Sequence, residues 1–273
     1  MASHETIKAN MFPPAWGAIP DWTKFHWHTY ADSPRSSQVM AIDVFGTLIT
    51  RSSLDRDAIM GAVAAEIGVP TEGPWEIYLE WSDPLNGLAE LTTTKVDAVA
   101  IGSGAIILFE CKFTEGGGTC SQIVPDRKGH TACSGAYKAT SEGQQRCSLS
   151  SKGIRYWDHI PDLFGIEAGQ DHEPCPFALD TYQWMRNVVL ARSIAATTGK
   201  KARVVAAYAE APFLQTAAKV KTGLLGLPTV RQADAIAPLS YQSLIDIAAK
   251  TAPSDVWAEL AAWLVRKIER EKR

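Results

Sequence analysis

Asp97, Glu110 and Lys112 are the residues whose types and spacing most directly imply chemistry. Two short apolar runs, Val96–Ile101 and Ala105–Phe109, flank Gly102-Ser103-Gly104, the pattern of a tight β-hairpin. Asp97 interrupts the first run, and the second continues into Glu110-Cys111-Lys112. Alternation along a strand sends Glu110 and Lys112 to one face and Cys111 to the other. Pairing through the turn can bring Asp97 to the first face, so that two carboxylates and a lysine meet at the edge of a buried sheet. Burying such a trio is costly unless its charges are compensated. A divalent cation would compensate them, since carboxylate oxygens suit Mg²⁺ or Mn²⁺ with water in the remaining positions. The lysine would then orient or activate a water, or stabilise a charged transition state. An acidic strand end with a structural ion pair is the plainer alternative. Each fragment alone is common; the three together on adjacent strands are specific.

Asp97, a twelve-residue gap and then Glu110-Cys111-Lys112 resemble the D…ExK signature of the PD-(D/E)XK, or restriction-endonuclease-like, nuclease superfamily. Val96 stands where the name-giving proline would be. The resemblance implies an α/β fold whose mixed central β-sheet is flanked by helices. It implies Mg²⁺ or Mn²⁺ held by Asp97 and Glu110, the Cys111 backbone carbonyl as a further ligand, and Lys112 as the catalytic lysine. Some members add an acidic ligand from the helix before the hairpin, for which Glu66 is the candidate. Others use a glutamine from the helix after it, for which Gln183 is the candidate and Arg186 the next choice. The implied activity is Mg²⁺-dependent hydrolysis of DNA phosphodiester bonds, of restriction or defence type, with double-stranded DNA as substrate and a homodimer as one arrangement. A structure-specific or RNA-directed nuclease on the same fold is an alternative, as is a catalytically inactive DNA-binding module.

Composition bounds these readings. At 273 residues the chain can bury a substantial core, and a single domain over 1–273 is the expectation. A net charge of −3 is not that of a DNA-coating protein. It does not exclude a nuclease, because a local basic channel and a bound metal supply positive charge where it is needed. The sequence shows neither a long apolar run nor a secretory signal, so a cytoplasmic protein without membrane contact, its cysteines reduced or metal-bound, is expected.

The elements that must position the trio follow from periodicity. Residues 1–35 are rich in Pro and Trp and read as an irregular arm wrapped on the body, with His26 and His28 as polar surface residues or, less simply, a two-histidine metal site. Ser36 or Ser37 can cap a short helix in Val39–Leu48. A clearer helix runs from Ser52-Ser53 to about Ile67, with Ile59, Val63 and Ile67 on one stripe and Gly68 ending it. Trp75–Ser82 reads as the first strand of a meander, with Trp81 out of phase. Glu80 or Glu76 would join the acidic cluster if their face looks towards Asp97.

Residues 114–176 form a long irregular insert after the ExK strand, bearing Cys120, Cys133, Cys147 and Cys175. These four can bind Zn²⁺ or an iron–sulfur cluster, although no CxxC pair is present and free thiols are the simpler reading. Tyr137–Gln145 is a candidate helix. Arg146, Lys152 and Arg155 interleave with Tyr156 and Trp157, a composition suited to nucleic-acid contact or to a solvated loop with a buried aromatic anchor. A helix over Thr181–Thr198, capped by Asp180 and closed by Gly199, carries Gln183 and Arg186. Ala202–Ala209 reads as a buried strand. The stretch 237–273 reads as C-terminal helices, with a basic and solvated end over Arg266–Arg273.

Overall fold

The computed structural model describes residues 3–139, 147–227 and 236–272. Among these residues β1 (Glu76–Ser82), β2 (Lys95–Ile101), β3 (Ala105–Lys112), β4 (Lys201–Tyr208) and β5 (Ile236–Ser240) form one five-stranded sheet in that spatial order. The first three strands are an antiparallel meander, and β4 and β5 add to it in parallel. Parallel neighbours need crossovers, and these carry helices. The helices are α1 (His4–Ala9), α2 (Ser37–Ala41), α3 (Thr47–Ile49), α4 (Ser53–Glu66), α5 (Ile160–Phe164), α6 (Tyr182–Thr198), α7 (Thr216–Gly226), α8 (Tyr241–Thr251) and α9 (Asp255–Arg270).

Each face of the sheet buries its own apolar cluster. Phe109, Cys111, Val205 and Ala207 point into one, against α4, α8 and α9. Leu108, Val204 and Ala206 point into the other, against α6 and the segment that leads to it. A third cluster, built on Ile7, Met11, Ile19, Val39 and Ile42, attaches the N-terminal arm. Local chemistry explains the helix ends. Ser52 Oγ accepts the Asp55 N–H at the start of α4, and Gly68 takes a left-handed φ of 71° just beyond its end. Gly199 does the same for α6 at φ 69°. Asp180 does not cap α6: Thr181 occupies that position without a side-chain bond, and Asp180 lines a cleft instead.

Four further expectations need correction. Val39–Leu48 does not form one short helix. A π-helical turn over Ile42–Gly46 joins α2 to α3 and points Asp43 into the interior. There Asp43 receives the Phe12 N–H at 2.7 Å, Trp263 Nε1 at 3.0 Å and Lys267 Nζ at 2.8 Å. Lys267 is therefore buried, although the basic C-terminal stretch reads as solvated. The stretch after residue 236 begins with a strand before its helices. Its Pro238 is tolerated because β5 is the last strand of the sheet. Tyr137 lies in an isolated β-bridge to His172, not in a helix, and 140–146 fall outside the described residues.

From Ser121 to the start of α6 the described chain holds only short 3₁₀ turns and α5. Tyr137 and Trp157 stack at 3.7 Å between ring centroids, with His172 parallel to Trp157, so the aromatic anchor is the role this segment gives to Trp157.

Candidate active site

Sheet register builds the site. Ala98 pairs with Phe109, so one further step sets Asp97 across from Glu110. On the other side, Leu79 pairs with Ala98 and Trp81 with Val96, which sets Glu80 across from Asp97. Three carboxylates thus lie in one row across β1, β2 and β3. Glu80 has a left-handed φ of 50°. Beyond that kink Trp81 and Val96 pack in the second cluster, whereas Ile77, Ala98 and Ala100 pack in the first. The kink accounts for the broken alternation of Trp81.

Lys112 is 3% exposed and is held from two elements. Its Nζ donates to Glu110 Oε1 at 2.6 Å on its own strand and to Gln183 Oε1 at 2.8 Å on α6. Trp184 lies beneath it, with the ammonium 5.6 Å from the ring centroid. An ammonium has three donors, and these contacts use two. Asn187, one turn along α6 from Gln183, donates to Glu110 Oε2 at 2.6 Å. Asp97 Oδ2 accepts the Cys111 N–H at 2.7 Å, which ties β2 to β3 beyond the last ladder pair. Gln183 is placed by the glycines after β3. Its N–H donates to the Gly117 carbonyl at 3.0 Å, and a Cβ on Gly118 would lie 2.7 Å from Gln183 Cδ.

The protonation pattern follows from this packing. Burial pushes Asp97 up, the neighbouring Glu110 charge adds to it, and its pKa is raised to about 8. Burial also opposes ionisation of Glu110. The Lys112 and Arg186 charges, with the bonds from Lys112 and Asn187, outweigh that and lower its pKa. For Lys112 burial again opposes the charge, and the Glu110 and Asp97 carboxylates outweigh it, so its pKa is raised. Asp97 is then neutral, Glu110 ionised and Lys112 an ammonium at pH 7.

Asp97, Glu110, Lys112 and Gln183 line one cleft of about 380 Å³, together with His28 and Glu115. His28 comes from the N-terminal arm. Gln38 on α2 holds the arm there: it accepts the His28 N–H at 2.9 Å and donates to the His26 carbonyl at 2.8 Å and to Glu80 Oε1 at 2.7 Å. Glu80 Oε2 sits 3.5 Å from His28 Nε2. The Glu80 bond, against the opposing effect of burial, raises the pKa of His28. The two arm histidines do not form a metal pair, since their rings meet edge-on at 6.1 Å and the Nε2 of His28 is directed to Glu80. A His-x-His alternation is visible in the sequence, but nothing local indicates that His28 reaches the cleft.

Other candidates lie elsewhere. Glu66 is exposed at the end of α4 and does not line the cleft. Lys152 and Arg155 do not line it either; Arg155 pairs with Asp158 at 2.8 Å. Arg146 lies outside the described residues. Arg186 packs over the Tyr182 ring at 5.9 Å and acts on Glu110 through its charge. Cys120, Cys133, Cys147 and Cys175 line a separate cavity.

The donor chemistry of the cleft fits a small hard cation. Among the described residues no three His, Cys, Asp or Glu side chains group as a metal cage. Two carboxylates and a backbone carbonyl leave the remaining positions to water, an oxygen donor set that suits Mg²⁺ or Mn²⁺. Both Glu110 oxygens already accept a hydrogen bond, and each carboxylate oxygen keeps a further lone pair for a cation.

A second groove of about 1120 Å³ adjoins this cleft, shares Gly116 and Asp180 with it, and is lined by α7 with Lys219 as its cation. Among the described residues no helix is long and apolar enough to cross a membrane. The sequence profile of the family described as restriction endonuclease associating with ARP (REase-ARP) matches residues 18–267. That span covers most of the chain, so the chain belongs to this restriction-endonuclease family, and the mixed sheet with flanking helices agrees with its α/β fold. No curated protein and no solved structure matches the chain.

Proposed function

We propose that this restriction-endonuclease family member is a divalent-cation-dependent endonuclease that hydrolyses phosphodiester bonds in double-stranded DNA, in a restriction or defence role. The observation that carries the reading is the convergence of Asp97, Glu110 and Lys112 in one cleft, with Gln183 bound to the lysine. Asp97, Glu110 and the Cys111 carbonyl would hold Mg²⁺ or Mn²⁺. Such an ion, when bound, polarises the scissile phosphate and makes water a better nucleophile at neutral pH.

The chain's own groups do the rest. Lys112 presents its remaining N–H to the phosphoryl oxygens, where negative charge grows as the bond breaks. Glu110 and Gln183 fix the direction of that N–H, and Asn187 fixes Glu110. As an ammonium Lys112 is not a base, so its contribution is charge stabilisation and orientation. We assign His28 a second role. Glu80 raises its pKa and so favours the imidazolium, which from the cleft wall would donate a proton to the departing oxygen. The adjoining groove with Lys219 gives the DNA backbone a path beside α7.

Supercoiled plasmid incubated with the full chain and Mg²⁺ tests the reading. Nicked or linear product is expected, with loss of cleavage in EDTA and a fall of about 100-fold or more for Lys112→Ala. Binding without cleavage under every metal tried would make the chain a DNA-binding module. Cleavage confined to RNA or to branched substrates would replace double-stranded DNA as the target. Sedimentation of the chain with and without DNA reads whether it cuts as a homodimer.

A further inference from the structure

We propose that Cys120, Cys133, Cys147 and Cys175 form a four-thiolate centre for a single thiophilic metal ion, Zn²⁺ in the first instance, which fastens the segment between β3 and α6. The four residues are far apart in sequence, yet all line one cavity, and none forms a disulfide. The fifth cysteine, Cys111, is buried in the other cluster and does not line it.

One of the four carries a backbone bond to its sulfur: the Gly135 N–H, two residues downstream, donates to Cys133 Sγ at 3.4 Å. That turn presents an amide to sulfur, and such charge-assisted bonds are strongest when the sulfur is an anionic metal ligand. The loops are also joined to one another. Cys133 N–H donates to the Gln122 carbonyl at 2.9 Å, Cys175 N–H to the Gly135 carbonyl at 2.7 Å, and Cys120 N–H to the Ala178 carbonyl at 2.9 Å. Backbone bonds thus tie three of the cysteines around one void, in a stretch that has almost no regular structure of its own.

The void measures about 30 Å³, more than the roughly 10–15 Å³ that holds one water, so an ion fits within it. Among the described residues the thiols do not stand at ligand spacing, so binding would have to draw them together. Four thiolates complete a tetrahedral shell and release protons as they bind. The centre would act structurally. Gly117 and Gly118, which seat Gln183, lie three and two residues before Cys120, so order in this segment passes to the cleft.

Metal analysis of the full chain, purified without added metal, tests this. About one zinc per chain is expected. Asp97→Ala should retain it, which separates this centre from the cleft, whereas Cys133→Ser and Cys175→Ser should lose it. Because those variants can fail to fold, Co²⁺ is also exchanged into the wild-type chain. Thiolate-to-cobalt charge-transfer bands and intense tetrahedral d–d bands are the expected signature. Iron with acid-labile sulfide at the same cysteines would overturn the single-ion occupant while leaving the four cysteines as ligands. Metal-free protein with four freely reactive thiols and a Co²⁺ spectrum lacking those bands would overturn it.

Discussion

Lys112 sits among opposite charges that burial makes strong, and Gln183 is the neutral group that aims it. Replacing Gln183 by Ala removes an acceptor but leaves the ion pair with Glu110. We expect Gln183→Ala to keep the fold and lower kcat by about 10-fold, which single-turnover cleavage reads, with a smaller loss than Lys112→Ala. His28→Ala should lower kcat more when the leaving oxygen is poor, and a thio-substituted leaving group, which needs no proton, should restore the rate; an equal loss on both substrates contradicts the assigned role. Asp97 gives the pH dependence. Its pKa is about 8 in the fold against 3.8 for the free side chain. A raised carboxyl pKa contributes stability that is full below the unfolded value and is lost as pH rises through the folded one. In chelator, Tm should therefore fall from about pH 4 to about pH 8 from this group and change no further above that, and Mg²⁺ should raise Tm more at the upper end. A metal-induced rise that is the same at both ends would contradict this.

At the scale of elements, the antiparallel hairpin and α6 converge because Gly117 lets the chain pass over the helix start. A Cβ at Gly117 would lie 1.9 Å from the Asp180 carbonyl oxygen and 2.1 Å from Trp184 Nε1. Gly117→Ala should cost about 1–3 kcal/mol in urea unfolding and shift Gln183 enough to slow cleavage. This scale also marks what can be read from the sequence. The β2–β3 hairpin, α4, α6 and β4 announce themselves because their periodicity, caps and turn glycines are local. The pairing of Asp97 with Glu110 follows from the same hairpin. Nothing local announces β5, whose five residues contain a proline, or the π-turn that aims Asp43 inward. His28 and Glu80 are far apart in the chain, so their pairing exists only once the arm has folded onto β1. Gln38, which joins them, looks like an ordinary polar helix residue.

At the scale of the molecule, Asp43 joins three distant parts of the chain: the arm through Phe12, the π-turn itself, and α9 through Trp263 and Lys267. Both charges are nearly inaccessible. Removing one partner of such a pair leaves the other buried and unpaired. Lys267→Ala should therefore cost about 3–5 kcal/mol, whereas Asp43→Leu with Lys267→Met should recover much of that loss; denaturant melts of the three proteins decide it. The arm that this cluster anchors also carries His28 to the cleft, so loosening of the arm should lower activity before global unfolding.

On this account the cleft grips a divalent cation through Asp97 and Glu110. Calorimetric titration of Mn²⁺ into the full chain, with Asp97→Asn alongside and buffers of differing ionisation heat, reads it directly. One site at the cleft, release of a proton near pH 7 and loss of that site in Asp97→Asn are expected. Equal Mn²⁺ binding by the two proteins, or binding without proton release, would contradict it.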